Sequence, residues 1–192
     1  MNHNITAAKF GVTIRPVSME DAEFIHKLRR DPVLSEHIGE VDERLSVHAS
    51  WMERYFERDG DYYFCIALDG DGETPVGTIA LYDVADGSAE WGRWIMKPSV
   101  PAAAASAWLV YHVAFDVLGL HSVYCRSVSD NKHVLSFHDR SGLRRTGIER
   151  NGLCIRGAWK DMVVHTALRS DWSAIQKNLE PAAQLAMRFL QR

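Results

Sequence analysis

Glu90 stands near the start of AEWGRWIMKP, a segment that reads as a strand. The turn PSVPAAAAS follows, and Ala102, Ala103, Ala104, Ala105 and Ser106 open the next helix. A shorter helix, DNKHVLSFHDRSGL, presents Asn131 in its first turn, His138 two turns later and Gly142 as its stop. Each group has a chemistry. A carboxylate can take a proton from an amine, directly or through water. Small residues at a helix start leave backbone N–H groups open at the positive end of the dipole, where a pyrophosphate is well held. An imidazole with an ordinary pKa of about 6.5 can exchange a proton at neutral pH. Together they suit acyl transfer from a phosphate-bearing thioester to an amine.

Each also has a plainer reading. The alanines fit a well-capped helix packed closely on its neighbours, with Ser99 as cap and Pro101 in the first turn. His138 fits a packing histidine, and Glu90 an edge acid after the Asp86-Gly87 turn. His112 and His165 read as structural, and His133 as solvent-facing; no histidines are spaced as a metal cluster, so no metal is expected.

The positioning elements follow from pattern. VTIRPV (12–17) predicts a first strand. Ser18 and Asp21 form a capping box ahead of an apolar stripe at Ala22, Phe24, Ile25 and Leu28, and Asp31-Pro32 ends that helix. Ser46–Arg58 predicts a second helix. Strands are expected at Tyr62–Leu68, Val76–Tyr82, Glu90–Met96, Val123–Val128 and within Cys154–Leu168, with turns at Asp69–Gly72 and Asp86-Gly87. Ala102–Leu118 is apolar nearly all round, hence a helix buried against a sheet and stopped by Gly119. Trp172–Phe189 is a final helical segment, broken or restarted at Pro181. The order β-α-α-β-β-β-α-β-α-β is an α/β fold with a mixed sheet, and 90–128 is long enough for a right-handed parallel crossover.

Composition narrows the field. The chain has 192 residues, 46% of them hydrophobic, and a net charge of −3. That suits one domain, since domains commonly run to roughly 100–200 residues: a loose arm over 1–12, a core over 13–172 and a helical extension over 173–192. No basic excess holds a nucleic-acid backbone, so no nucleic-acid partner is expected. No apolar run reaches the ~18–20 residues of a membrane span, and MNHNITAAKF lacks an apolar leader core. Cys65, Cys125 and Cys154 fit buried free thiols in a reducing compartment. The expected location is cytoplasmic.

At this point the chain resembles the GNAT superfamily of acyl-CoA N-acyltransferases. Asn131-Lys-His-Val-Leu-Ser-Phe-His-Asp-Arg-Ser-Gly-Leu143 is similar to the family's N-x-x-A-I-x-L-Y-x-x-x-G-F helix. IRPVSMEDAEFIHKLRRDP resembles its first strand and helix, and ALRSDW (167–172) its last strand and exit. The likeness covers roughly 14–172. It implies a largely antiparallel central sheet with helices on both faces and a splayed parallel strand pair at the CoA site. It implies acetyl-CoA as acyl donor, held by backbone at Ile95 and Met96, by the 102–106 amides and near Asn131. It also implies Glu90 as base and His138, in the place of the family's usual Tyr, as acid toward the leaving thiolate. The family's Arg/Gln-x-x-Gly-x-Gly/Ala signature falls on Val100, Ala103 and Ala105, and Pro101 removes one amide. Weaker or differently shaped CoA binding is therefore expected.

Residues 29–56 should form the acceptor wall, with Arg29, Arg30, Trp51 and Tyr55 against the substrate. Arginine clamps phosphate and stacks on a base. The SFH-type helix resembles the branch that acetylates nucleotide-linked amino sugars, which is the leading expectation. A protein N-terminus, as in ribosomal-protein acetyltransferases, another small amine, and a non-catalytic binding module on the same fold stay open. A homodimer is compatible with the resemblance.

Overall fold

The computed structural model describes residues 3–69 and 74–190. The turn expected at Asp69–Gly72 lies, from residue 70 on, outside the described residues. Eight strands form one sheet: β1 (Ala7–Lys9), β2 (Val12–Pro16), β3 (Tyr62–Leu68), β4 (Pro75–Ala85), β5 (Ser88–Met96), β6 (Ser122–Val128), β7 (Arg144–Ile155) and β8 (Ala158–Leu168). Their spatial order is β1-β2-β3-β4-β5-β6-β8-β7. All neighbours are antiparallel except β5 and β6. The helices are α1 (Ala22–Arg30), α2 (Leu45–Phe56), α3 (Ala103–His112), α4 (Lys132–Ser141) and α5 (Trp172–Leu190).

Period-2 alternation sends side chains to two cores. Phe64, Ile66, Ile79, Leu81 and Trp91 face α3 and α5. Tyr63, Cys65 and Ala80 face Ile25 of α1 and Met52 of α2. The all-apolar character of α3 is explained by its place: Ala104 through Tyr111 are all buried. A π-helical turn, Val113–Val117, extends it toward Gly119.

Four local expectations differ. Residues 7–9, placed in the loose arm, pair with β2 as an edge strand. β7 is an added strand, missed because its residues are mostly exposed and carry no alternating apolar face. Pro181 lies within a continuous α5, with its missing N–H tolerated on a mostly solvent-facing helix. Cys154 is exposed, while Cys65 and Cys125 are buried free thiols.

The feature that shapes the sheet is β5. It pairs with β4 along its whole length, from Ala85↔Ser88 to Gly77↔Met96. Its parallel pairing with β6 stops at Glu90↔Tyr124. Beyond that point the two strands splay and open a cleft. A bulge sits on β5 as well: Thr78 faces Ile95 and Ala80 faces Gly92, so β5 carries one extra residue. Arg93 lies there at φ 48°. Its carbonyl accepts from Thr78 Oγ1 at 2.7 Å, and its guanidinium donates to both carboxylate oxygens of Asp61 at 2.6 and 2.9 Å. The Tyr82 ring lies 4.4 Å from the guanidinium carbon.

The Arg93–Asp61 pair is mostly buried, with side chains 15% and 6% exposed. Removing one partner leaves an uncompensated charge. Asp61→Asn should lower unfolding free energy by about 3–5 kcal/mol in urea titration, and the double variant Asp61→Leu/Arg93→Met should recover most of the loss. A single variant that costs under about 1 kcal/mol would show the pair is not what anchors the bulge.

Candidate active site

The splay leaves a cleft of about 320 Å³, lined by β5, β6, the start of α4, the 37–39 loop and the β7–β8 hairpin. Glu90, Ile95, Asn131, His138 and Arg29 all border it. Gly92 also lines it; a Cβ there would lie 2.7 Å from the Tyr82 hydroxyl oxygen, so only glycine lets that ring approach the strand.

Glu90 is 3% exposed and does not stand alone. Arg126 on β6 donates from Nη2 to Oε2 at 2.6 Å and from Nε to both oxygens at 3.1 Å. Glu90 occupies the last parallel pair, and Arg126 is two residues beyond Tyr124 on β6. The ion pair therefore clamps the apex of the splay. Hydrogen bonding to Glu90 raises the pKa of Arg126 further. Sequence reading missed Arg126, because the two residues are far apart in the chain and only the crossover joins them.

His138 is 2% exposed. Its ring meets Trp91 edge-on at 5.1 Å between centroids, and His165 lies 5.1 Å away on the other side. Burial, reinforced by His165, lowers its pKa to about 3, so the ring is neutral at neutral pH. The helix that carries it is fixed at both ends. Asn131 Oδ1 accepts from the Val134 N–H at 3.2 Å. Gly142, at φ 96°, closes a Schellman turn in which the Leu143 N–H reaches the His138 carbonyl at 3.1 Å. Asn131 thus has a capping duty as well as a place on the cleft.

The alanine-rich helix start differs in detail from expectation. The N-cap is Ala102, with no side-chain cap, so Ser99 does not cap α3. The Ala102 N–H already bonds the Val100 carbonyl, and the Ser106 N–H bonds the Ala102 carbonyl, each at 2.9 Å. The Ser106 hydroxyl, fully buried, accepts from Trp94 Nε1 at 3.2 Å and donates to the Ala103 carbonyl. Ala102 and Ser106 are therefore structural, and the amides ahead of the first intrahelical bond belong to Ala103, Ala104 and Ala105. Met96 is half-buried, with its sulfur 3.7 Å from the Ser106 hydroxyl.

On the acceptor side, Arg29 lies where the main cleft meets a second cavity of about 210 Å³, lined by Glu40, Val41, Asp42, Val47, His48 and Trp51. Its buried Nε has no hydrogen-bond partner among the described residues. Trp51 stacks between His48 and Tyr55 at 5.8 and 5.9 Å. Burial lowers the pKa of His48 to about 4. Two expectations fail here. Arg30 turns outward to Glu43 at 3.4 Å. Tyr55 is a core residue, 1% exposed, whose hydroxyl accepts from the Tyr63 N–H and donates to the Asp61 carbonyl. Its helical spacing with Trp51 gave no sign of which face it takes. His37, Trp91, Arg93, Trp94, Ser127 and Met162 complete the walls.

Among the described residues no group of His, Cys, Asp and Glu is arranged for a metal ion. None of their helices is long and apolar enough to cross a membrane.

An open sheet whose central parallel pair splays beside a helix start, with a carboxylate at the apex, defines an acyltransferase architecture. The chain belongs to the family described as Acetyltransferase (GNAT) domain, which matches residues 12–144, and it is an acetyl-transferring enzyme. It is 26% identical over 176 residues to YdaF of Bacillus subtilis (strain 168), a protein named as a candidate ribosomal N-acetyltransferase, covering 84% of this chain and 93% of that one. A solved structure titled as apo FdhC, a nucleotide-linked sugar GNAT, is 27% identical with a TM-score of 0.75, over 91% of this chain and 96% of that one. A variant of the spermidine N-acetyltransferase SpeG from Vibrio cholerae shares the fold at 18% identity and TM-score 0.74, over 85% and 97% of the two chains.

The two lowered histidine pKa values set an acid limit on stability. Folding depresses them below the ordinary 6.5, so the unfolded chain takes up protons first as pH falls. The contribution of the neutral rings is whole above pH about 6.5 and declines toward about 4 for His48 and about 3 for His138. Melting temperature should drop on acidification from pH 7 to 5, and His138→Phe should make that drop shallower. Parallel curves for the two proteins would show that His138 is not held neutral by the fold.

Proposed function

We propose that the protein is an acetyl-CoA-dependent N-acetyltransferase whose acceptor is a small, polar, phosphate-bearing amine, with a nucleotide-linked amino sugar as the best fit. The observation that carries this is Arg29: a guanidinium whose buried Nε has no hydrogen-bond partner among the described residues, at the junction of two cavities. A cation there suits an anion on the acceptor. The main cleft also bears Arg93 and Arg126 against a single lining carboxylate, Glu90, which disfavours a polycation such as spermidine. The likeness to a nucleotide-linked sugar GNAT points the same way. A protein N-terminus is the second reading, favoured by the likeness to YdaF.

Acetyl-CoA supplies an acetyl group activated on sulfur. In this reading the free amides of Ala103, Ala104 and Ala105, at the positive end of α3, receive its pyrophosphate. The unpaired edge of β5 around Ile95 and Met96 receives its arm. Glu90 accepts a hydrogen bond from the acceptor's ammonium and orients it. Arg126 holds that carboxylate in place. His138, neutral at rest, exchanges a proton with the sulfur as the amide forms.

Ala103→Asp would set a carboxylate against the pyrophosphate. It should weaken acetyl-CoA binding by tenfold or more in isothermal titration, since like charges at a partly desolvated site repel strongly. Glu90→Gln should lower kcat roughly 10²-fold without changing acetyl-CoA affinity. Unchanged affinity in the first variant moves the phosphates elsewhere; unchanged kcat in the second reduces Glu90 to the clamp alone.

The acceptor is tested by a panel of nucleotide-linked amino sugars, free amino sugars, polyamines and peptide N-termini. Arg29→Met should raise KM for phosphate-bearing acceptors by tenfold or more while leaving acetyl-CoA affinity intact. Preference for a peptide N-terminus, with Arg29→Met neutral, would establish the second reading instead.

A further inference from the structure

The reaction leaves a proton behind. When an ammonium acceptor is acetylated, the N–C bond forms and the C–S bond breaks. Two protons leave nitrogen, one ends on sulfur, and one must reach solvent. Glu90 and His138 are both almost fully buried, so the surplus proton needs a way out.

We propose that it leaves through His138, His165 and Asp139, a route that rests on the amine-acetylation reading above. His138 borders the cleft. Its Nδ1 lies on the sealed side with no hydrogen-bond partner, and so does Nδ1 of His165. The two rings are 5.1 Å apart between centroids and tilted by 49°, and the relay requires their Nδ1 atoms to meet directly or through one water molecule. His165 sits on β8 opposite Cys125 and is wholly buried. Its Nε2 meets Asp139 Oδ1 at 3.1 Å, which fixes Nε2 as the protonated nitrogen of the neutral ring and leaves Nδ1 free to accept. Asp139 is 39% exposed in its side chain and paired with Arg145, so the chain of groups ends in water.

The transfer balances. The cleft-side nitrogen of His138 accepts one ammonium proton and passes it to the departing sulfur; it then takes the second and gives up the proton on Nδ1 to Nδ1 of His165. His165 then releases its Nε2 proton to Asp139, which sheds it to solvent. Both rings return by tautomer exchange. The residue acting on the substrate is His138; His165 and Asp139 act through it.

The charges facing this line are few. Asp139 stabilises a proton on either ring, Arg145 opposes one on His165, and His165 opposes one on His138. Burial keeps both rings neutral at rest, and the Arg145 pair holds the Asp139 pKa down to about 2. No group on the path therefore retains the proton. The neighbouring Cys125 thiol is pushed well above its ordinary value by burial and does not compete.

The test has two arms. Nitrogen-15 NMR of histidine-labelled wild-type enzyme reads the tautomers directly. The relay requires His165 protonated on Nε2 and His138 on Nδ1; a bare Nδ1 on His138 overturns it without any assay of activity. In the second arm, His165→Phe keeps a ring and Asp139→Asn keeps a hydrogen-bond acceptor. Each should lower kcat about tenfold or more, leave KM for acetyl-CoA unchanged and alter the solvent deuterium isotope effect. Added imidazole should restore part of the rate in His165→Ala, and substituted imidazoles should do so in step with their basicity, which cavity filling alone would not produce. Folded His165→Phe with wild-type kcat and isotope effect overturns the relay alone. A wild type that acetylates no amine overturns the transferase reading and the relay with it.

Discussion

Everything about the site depends on one strand being shared between two neighbours that part. β5 follows β4 to its end but leaves β6 after Glu90↔Tyr124. A sheet does not open by itself, because each lost ladder bond exposes an N–H and a C=O. Two ion pairs hold this opening, one mostly buried and one with its arginine at the surface. Glu90–Arg126 joins β5 to β6 at the apex, and Arg93–Asp61 fastens the β5 bulge beyond it. Buried pairs are poor sources of net stability, since desolvation offsets most of the attraction. Their value lies in geometry: each fixes where a strand can go.

The same interactions set the electrostatics of the cleft. Arg126 and Arg93 are each tied to an acid, so they supply form more than attraction. Arg29 is different: its buried Nε has no hydrogen-bond partner among the described residues, with Glu40 and Asp42 lining the same second cavity. The aromatic walls, Trp51, Trp91 and Trp94, exclude water and strengthen whatever polar contacts form there.

Much of the fold was legible because its elements are locally consistent. The alternation of Tyr62–Leu68, the apolar α3, the Asn131 cap and the Gly142 stop are each decided within a few residues. β7 was not legible, since a two-sided exposed strand has no periodicity to read. Of the expected site residues, Glu90 on β5, His138 on α4 and Arg29 on α1 do border the cleft. The site was not legible where the third dimension decides. Tyr55 and Arg30 flank true cavity residues at plausible spacing, yet one turns into the core and the other to solvent. Ser106 and Ala102 sit in the right segment, but their amides are already bonded. Arg126 and Asp61 could not be found at all, because pairings between residues 36 and 32 apart in the chain leave no mark in either segment alone.

The structure also changes what a histidine at position 138 means. An imidazole free in water is half-charged near pH 6.5, and its usefulness as an acid comes from that charge. Here the ring is enclosed by Trp91, Phe137 and His165, and the charged form is penalised by burial. A phenol in such a place would be limited to giving and recovering its one proton. An imidazole has two nitrogens on opposite edges, one toward the cleft and one toward the sealed interior. It can hold a proton briefly and release it on the far side, which a single hydroxyl cannot do without rotating. Burial that makes His138 a weak standing acid therefore makes it a suitable conduit, because a group that binds a proton poorly does not trap it.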